Sequence, residues 1–433
     1  MRLSELKERI KIDKRDVIVA GGGLAGSLAA VAAAREGMNV LLIEKYGFLG
    51  GMAASALITP FMTYFESGES GKLANKGLFE VLRNKLAGVG AICKPECVCG
   101  QNINGDLLKL ALDRLLKEYG VTVLLHSLIG DVDFSAGRVK SVTVSTVSGN
   151  INVKADYFID ATGNADLTAF AGLEYNIGRE SDGLCQPMTT CFRLCNVDWE
   201  KYNKNAAKTL ELYKKFQAEK KIKNPREDIL TFGFVGYPSD GVMHFNTTRI
   251  VGKDPTNVID RTAGETEARE QIYEMYRFLK ENVEGMENAV LINAGAEMGI
   301  RESRRIIGHY ELSRDDLVSV RKFGDSIARG TYEIDIHNPA GTGTHHERIP
   351  DNDYYTIPYR SLVPQNADNL IVAGRPICST HEAHAAIRIM PITSCIGEAA
   401  GIAAALAVKG KKAAIDVPVG ELRTLLKSHG ALI

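Results

Sequence analysis

Asp16-Val-Ile-Val-Ala20, running straight into Gly21-Gly-Gly-Leu-Ala-Gly26 and then into an alanine-rich stretch, is the segment that decides the fold. The apolar run has the length and β-branched content of a buried strand, and the alanines after it suit a helix. A second apolar run, Asn39-Val-Leu-Leu-Ile43, ends on Glu44. Strand, spaced glycines, helix, strand and terminal acid in this order form a βαβ unit for a dinucleotide. Gly21 permits the tight turn, Gly23 lets the backbone approach a pyrophosphate, and Gly26 lets the helix close on the strand. The helix N-terminus at Leu24 and Ala25 offers free N–H groups to the anion, and Glu44 is placed to accept hydrogen bonds from a ribose, with Lys45 next to it.

Outward from this unit, Leu107 to Tyr119 has helical spacing and Val121 to Leu125 reads as a strand. Val139 to Val147 and Asn150 to Val153 alternate on either side of Ser148-Gly149, a hairpin. Asp156-Tyr-Phe-Ile-Asp160 is a strand that stops at Ala161-Thr162-Gly163. Beyond Leu167 the character changes: Met188 to Cys195 reads as a strand, Trp199 to Lys220 and Thr262 to Asn282 as charged helices, and no glycine fingerprint recurs. The chain returns to the first pattern with Asn369-Leu-Ile-Val-Ala-Gly-Arg375 and a small-residue helix from Pro391 to Val408.

The chain has 433 residues, long enough for two domains. With 52 basic and 53 acidic side chains, net charge −1, it carries no footprint for nucleic acid. The charged start, Met1-Arg-Leu-Ser-Glu, is unlike a signal peptide, and runs such as Leu28 to Ala34 are too short to span a bilayer. The expectation is a cytoplasmic protein without a membrane partner, its eight cysteines reduced. Cys93, Cys97 and Cys99 are close enough together to hold a metal, but their spacing matches neither zinc ribbons nor ferredoxin runs, and free thiols are expected, with no metal site.

A nicotinamide dehydrogenase would continue its sheet directly after Glu44, whereas here a loop with Gly50 and Gly51 intervenes. Leu49-Gly-Gly51, Asp160-Ala-Thr-Gly-Asn-Ala-Asp166, Gly299-Ile-Arg-Glu-Ser-Arg-Arg305, Ile357-Pro-Tyr-Arg-Ser-Leu362, Ala373-Gly-Arg375 and Arg388-Ile-Met-Pro391 with Gly397 to Gly401 extend the pattern across the chain. With Gly21 to Gly26, these make the chain resemble the FAD-dependent oxidoreductases of the glutathione-reductase structural superfamily, over nearly its whole length.

The resemblance implies an α/β fold: a Rossmann-like, three-layer FAD-binding domain (1–166 and 350–433), whose parallel sheet carries an inserted β-meander, and an α+β substrate or cap domain (167–349). FAD is the implied cofactor. Ala161, Thr162 and Gly163 are the second FAD contact, with Asn164 where an aspartate is common. Gly374 and Arg375 approach the pyrophosphate and ribityl chain, and the helix start at Ile392 and Thr393 faces the pyrimidine edge of the ring. Gly397, Ala399, Ala400 and Gly401 are expected to let flavin and sheet come close.

His381 and His384 lie in sequence between Arg375 and that helix, where an imidazole could move a proton while hydride moves to or from flavin N5. Arg388 is a candidate substrate or flavin contact. Arg301, Arg304 and Arg305 form a cluster that could bind a carboxylate or phosphate bidentately or make surface ion pairs with Glu302, Glu311 and Asp315; Arg304 and Arg305 read as structural. The expected activity is hydride transfer between flavin and a small polar organic substrate. The alternative is an electron-transfer subunit feeding a metal cluster or partner protein. A nicotinamide donor or redox partner, and self-association into a homo-oligomer, stay open.

Overall fold

The computed structural model describes residues 14–92, 102–229, 231–233 and 241–433; Cys93, Cys97 and Cys99 lie outside them. Five parallel strands form the main sheet: β1 (Arg15–Ala20), β2 (Val40–Ile43), β3 (Thr122–Leu124), β4 (Ala155–Asp160) and β5 (Leu370–Val372), in the order β5-β4-β1-β2-β3. The apolar runs in the sequence are continuous because such strands are covered on both faces.

The two-residue period of β1 sorts those faces. Val17 and Val19 join the helical layer, whereas Ile18 and Ala20 join the core under an antiparallel three-stranded meander, Ser127–Ser135, Arg138–Thr146 and Gly149–Val153. The hairpin read at Ser148-Gly149 is the second turn of that meander. Helices α1 (Leu24–Arg35), α2 (His381–Ile387) and α3 (Met390–Gly410) build the other layer.

Helix α3 is long and apolar enough by composition to cross a bilayer, but 89% of its most apolar window is buried inside the fold. Its glycines have a different use from the one expected. A methyl at Gly397 would sit 2.2 Å from the Ala25 carbonyl oxygen, and one at Gly401 2.2 Å from that of Ala29. They therefore let α3 press on the backbone of α1 rather than make room for a ring. Arg35 on α1 and the fully buried Glu398 on α3 pair at 2.8 Å across the same contact. Gly397→Ala is expected to destabilise the fold by about 1–3 kcal/mol, the usual range for overpacking, measured as a lowered denaturation midpoint.

The cap has its own core, including Phe192, Leu194, Tyr213, Phe245, Met275 and Phe278, under an antiparallel sheet ordered Thr231–Gly233, Met243–Phe245, Phe192–Cys195, Val290–Ala294. By core membership, Leu312, Leu317, Ile327, Ile334 and Ile349, expected with the cap, pack into the core of the helical layer. The charged helix expected from Trp199 to Lys220 is two helices, Trp199–Lys204 and Ala206–Ala218. Asn205 divides them, its side-chain amide donating back to the Lys201 carbonyl at 3.0 Å. The run from Met188 is ladder only from Phe192; Met188 and Thr189 make single bridges to Ile250 and Gly299.

Candidate functional site

All four strand ends that matter open at one edge of the sheet. Gly21 N donates to Ile43 O, Ala161 N to Ala20 O and Ala373 N to Asp160 O, so the turns after β1, β4 and β5 lie side by side with Glu44 at the end of β2. This carboxyl edge, where strand order reverses, is where open α/β sheets take ligands.

The glycines there differ in what holds them. Gly21 has φ +99°, and a methyl on it would stand 2.3 Å from the Ala161 carbonyl oxygen. A methyl on Gly26 would stand 1.9 Å from Gly21 O. Gly23 has neither constraint: its φ is −66°, and the nearest protein atom to a methyl there is Gly51 Cα at 3.8 Å. Nothing in the protein requires glycine at 23, and the space beside it at the N-terminus of α1 is a cradle for a bound anion. Gly50 and Gly51 form the facing wall, with Gly50 N donating to Gly22 O at 2.9 Å.

Glu44 is 4% exposed and holds the first turn in shape, accepting from Gly22 N at 2.6 Å and Tyr46 N at 2.9 Å. Burial pushes its carboxyl above the usual range, and those two N–H bonds work in the opposite direction. Next to it opens a cavity of about 530 Å³ whose lining includes Gly21, Glu44, Lys45 and Thr162 from the sheet edge and Val258, Arg261 and Thr262 from the cap. The cap wall was not read from sequence. It is fastened by Glu297, 6% exposed, which pairs with Arg261 at 3.0 Å and Lys45 at 3.4 Å and accepts from Ser55 Oγ at 2.9 Å. Glu44→Ala is expected to weaken dinucleotide binding by roughly 1–3 kcal/mol through lost hydrogen bonds, measured as a dissociation constant by fluorescence titration.

The remaining expected contacts gather around the start of α1. A methyl on Gly374 would stand 3.2 Å from Ala25 Cβ, and Ile392 and Thr393 lie in the first turn of α3, one turn before its crossing at Ala25. Gly163 faces Arg375, whose guanidinium donates to Asn164 Oδ1 at 3.0 Å and to Ile300 O at 2.7 Å. Asn164 thus keeps an acceptor toward Arg375, and burial lowers that guanidinium to about 10.

Gly299 to Arg305 stitches these turns together rather than making surface ion pairs. Ser303 Oγ donates to Gly163 O, and Arg304 to Asn164 O and Asp166. Arg305 donates to Ser379 O and pairs with Glu302, which is fully buried. Glu302 also accepts from Gln186 N at 3.0 Å and lies 2.8 Å from His381 Nδ1. An accepting carboxylate puts the proton on Nδ1 and leaves Nε2 as the acid–base nitrogen. Sequence spacing could not show that Glu302 and His381 meet.

His381, His384 and Arg388 fall at i, i+3 and i+7 of α2 and its C-cap, on one helix face. They do not share one environment. His384 is fully buried, and neither ring nitrogen has a hydrogen-bond partner among the described residues. Burial first, then the charges of Arg305, Arg388 and Arg375, holds it far below the usual histidine range, so it stays neutral. Arg388 donates to Ala385 O and Asp335 O, both at 3.2 Å. Among the described residues no cluster of three or more potential metal ligands occurs, and Cys185, Cys191, Cys195, Cys378 and Cys395 are free thiols.

Residues 16–426 match the family model described as FAD dependent oxidoreductase. Over 168 residues, 37% of the chain, it is 32% identical to digeranylgeranylglycerophospholipid reductase 2 of Methanothermobacter thermautotrophicus, covering 43% of that protein. Over 165 residues, again 37% of the chain, it is 30% identical to dihydrolipoamide dehydrogenase of Chaetomium thermophilum, covering 30% of it. The chain thus spans less than half the length of these curated relatives. A solved geranylgeranyl bacteriochlorophyll reductase-like protein of Thermoplasma acidophilum aligns with 96% of the chain and 84% of its own, at 15% identity and TM-score 0.47. The cradle at Gly23, the acid at Glu44 and the cavity beside them fit the cofactor of that family, and the chain belongs to the FAD dependent oxidoreductases, an enzyme whose cofactor is FAD.

Proposed function

We propose that this enzyme moves a hydride between FAD and a small polar organic substrate held against the face of α2. The observation that carries the reading is the buried Glu302–His381 pair at the head of the helix leading into α3. FAD, when bound, supplies the two-electron chemistry. Glu302 fixes the ring of His381, and Nε2 holds or releases the proton that a substrate hydroxyl or amine must lose or gain. The N-terminus of α3, opening at Met390 with Pro391, contributes the positive end of a helix dipole two residues beyond Arg388. His384, neutral and fully buried, lies between His381 and Arg388 on the same helix face.

An anaerobic screen of purified holoenzyme against hydroxy, amino and unsaturated metabolites tests this. The expected result is stoichiometric bleaching of the oxidised flavin absorbance by one chemical class. Bleaching by none of them, with rapid one-electron reduction by an iron–sulfur protein instead, would replace the reading with electron transfer.

A further inference from the structure

The cap and α2 place several guanidinium groups in the surroundings of His337. After burial, the charges of Arg301, Arg388, Arg226 and Arg249 hold its imidazole far below the ordinary histidine range. Three of the four have an acid. Arg226 pairs with Asp228, Arg249 lies 3.9 Å from Glu227, and Arg388 lies 3.7 Å from Asp335. Asp335 also lies 3.7 Å from His337 itself.

Arg301 makes no ion pair among the described residues; the charge of Asp335 supports it, against burial and the charges of Arg388 and Arg226. It is 9% exposed, and its Nη1 donates to Pro187 O and Thr189 Oγ1, both at 2.6 Å and both neutral. Its Nε and Nη2 edge has no acceptor among the described residues, and that is the edge from which a guanidinium donates to two carboxylate oxygens side by side. One residue before Pro187, Gln186 is 1% exposed. Its Oε1 accepts from His337 N at 3.2 Å, while its Nε2 is buried without a partner among the described residues. A buried cation whose two hydrogen-bond acceptors are neutral, with an unspent amide donor on the residue before Pro187, carries a desolvation cost that an incoming anion lowers.

We propose that this is a carboxylate-binding site and that the enzyme's substrate is a small organic acid, its carboxylate held by Arg301 and Gln186 Nε2 with Arg388 alongside. Arg388 lies seven residues along α2 from His381, roughly 10 Å at 1.5 Å per residue, so the anion site and the Glu302–His381 pair share one face of the same helix, at opposite ends of it. The anion site stands on its own geometry; only the word substrate rests on the oxidoreductase reading.

The test is titration of the holoenzyme with acetate, glycolate, succinate and benzoate, with the matching neutral amides, and with inorganic phosphate. Binding is followed by the flavin difference spectrum and by the unfolding midpoint. Saturable binding of at least one carboxylate, with its amide weaker by roughly tenfold or more, is expected. Arg301→Met should remove that binding while FAD stoichiometry is kept. Because Arg301 also braces Pro187 and Thr189, Gln186→Leu is measured in parallel and should weaken the same carboxylate several-fold. No carboxylate binding, equal binding of acid and amide, binding of phosphate alone, or full retention in both variants would overturn the site. Unfolding midpoints of the apoprotein report the anion site without flavin, so a protein that binds carboxylate but never exchanges electrons with FAD separates failure of the oxidoreductase reading from failure of this one.

Discussion

Gly23→Val is expected to give a folded protein that purifies without flavin. Glycine at 21 and 26 is demanded by the protein, because any side chain there collides with backbone at 2.3 Å or less. Substitutions at those two positions would disturb the sheet edge and the cofactor together. Position 23 is separable. Its backbone, φ −66° and ψ −178°, is one that valine adopts freely, and a Cβ meets nothing closer than Gly51 Cα at 3.8 Å. Replacing a glycine N-cap by valine costs the helix about 1 kcal/mol, which a domain of this size tolerates. The methyl groups fill the space in which phosphate oxygens would meet the free N–H groups of α1. Loss of roughly 3 kcal/mol of such contacts is a hundredfold in affinity. The check is flavin absorbance per protein together with circular dichroism. Gly23→Ser, a better N-cap, should be at least as stable as the parent and still bind FAD more weakly, so the order of stability and the order of affinity should differ. A colourless variant that is also unfolded, or a Val variant with full FAD, would remove the phosphate assignment from this turn.

How far the sequence could be read follows from the range of each interaction. The βαβ unit was legible because its strands, glycines and acid are local, with a period set by backbone geometry and a separate physical task for each glycine. The three layers were expected only from the family resemblance, because β1 is apolar on both faces; the fold is what puts Val17 and Val19 against the helices and Ile18 and Ala20 against the meander. Gly397 and Gly401 were recognised as close-approach positions, but spacing does not reveal the approaching partner, which is the backbone of α1 rather than a flavin. The arginines after Gly299 were read as surface pairs because charge near charge in sequence is usually solvated. In the fold, Arg305 is 4% exposed and Glu302 fully buried, in a segment that bonds to both the Gly163 and Ser379 turns. The cap's hold on the cavity through Arg261 and Glu297 depends on residues 36 apart that carry no motif. Long-range polar contacts of this kind leave no periodic trace for a single sequence to show.

His381→Gln is expected to keep FAD bound and to slow flavin reduction by the true substrate roughly 10²-fold or more, the usual scale for a lost general acid or base. The structure separates the two candidate histidines. His384 is fully buried, has no hydrogen-bond partner among the described residues and feels the charges of three arginines, so adding a proton to it is disfavoured throughout the neutral range. His384→Gln should therefore change stability more than rate. His381 has its Nδ1 against Glu302 and lies at the N-terminus of α2, capped by Thr380. Glu302→Gln retains the shape but removes the charge that orients the ring, and it also leaves Arg305 without its acid. If His381 moves the proton, Glu302→Gln should shift the pH profile of reduction, whereas a merely structural role would alter the unfolding midpoint and leave that profile in place. Stopped-flow reduction across pH is the measurement, with FAD content and midpoint determined on the same samples. A His381→Gln enzyme that reduces at the parent rate with the parent pH profile would mean that the Glu302–His381 pair only braces the loop beside α3, and that the proton travels through water instead.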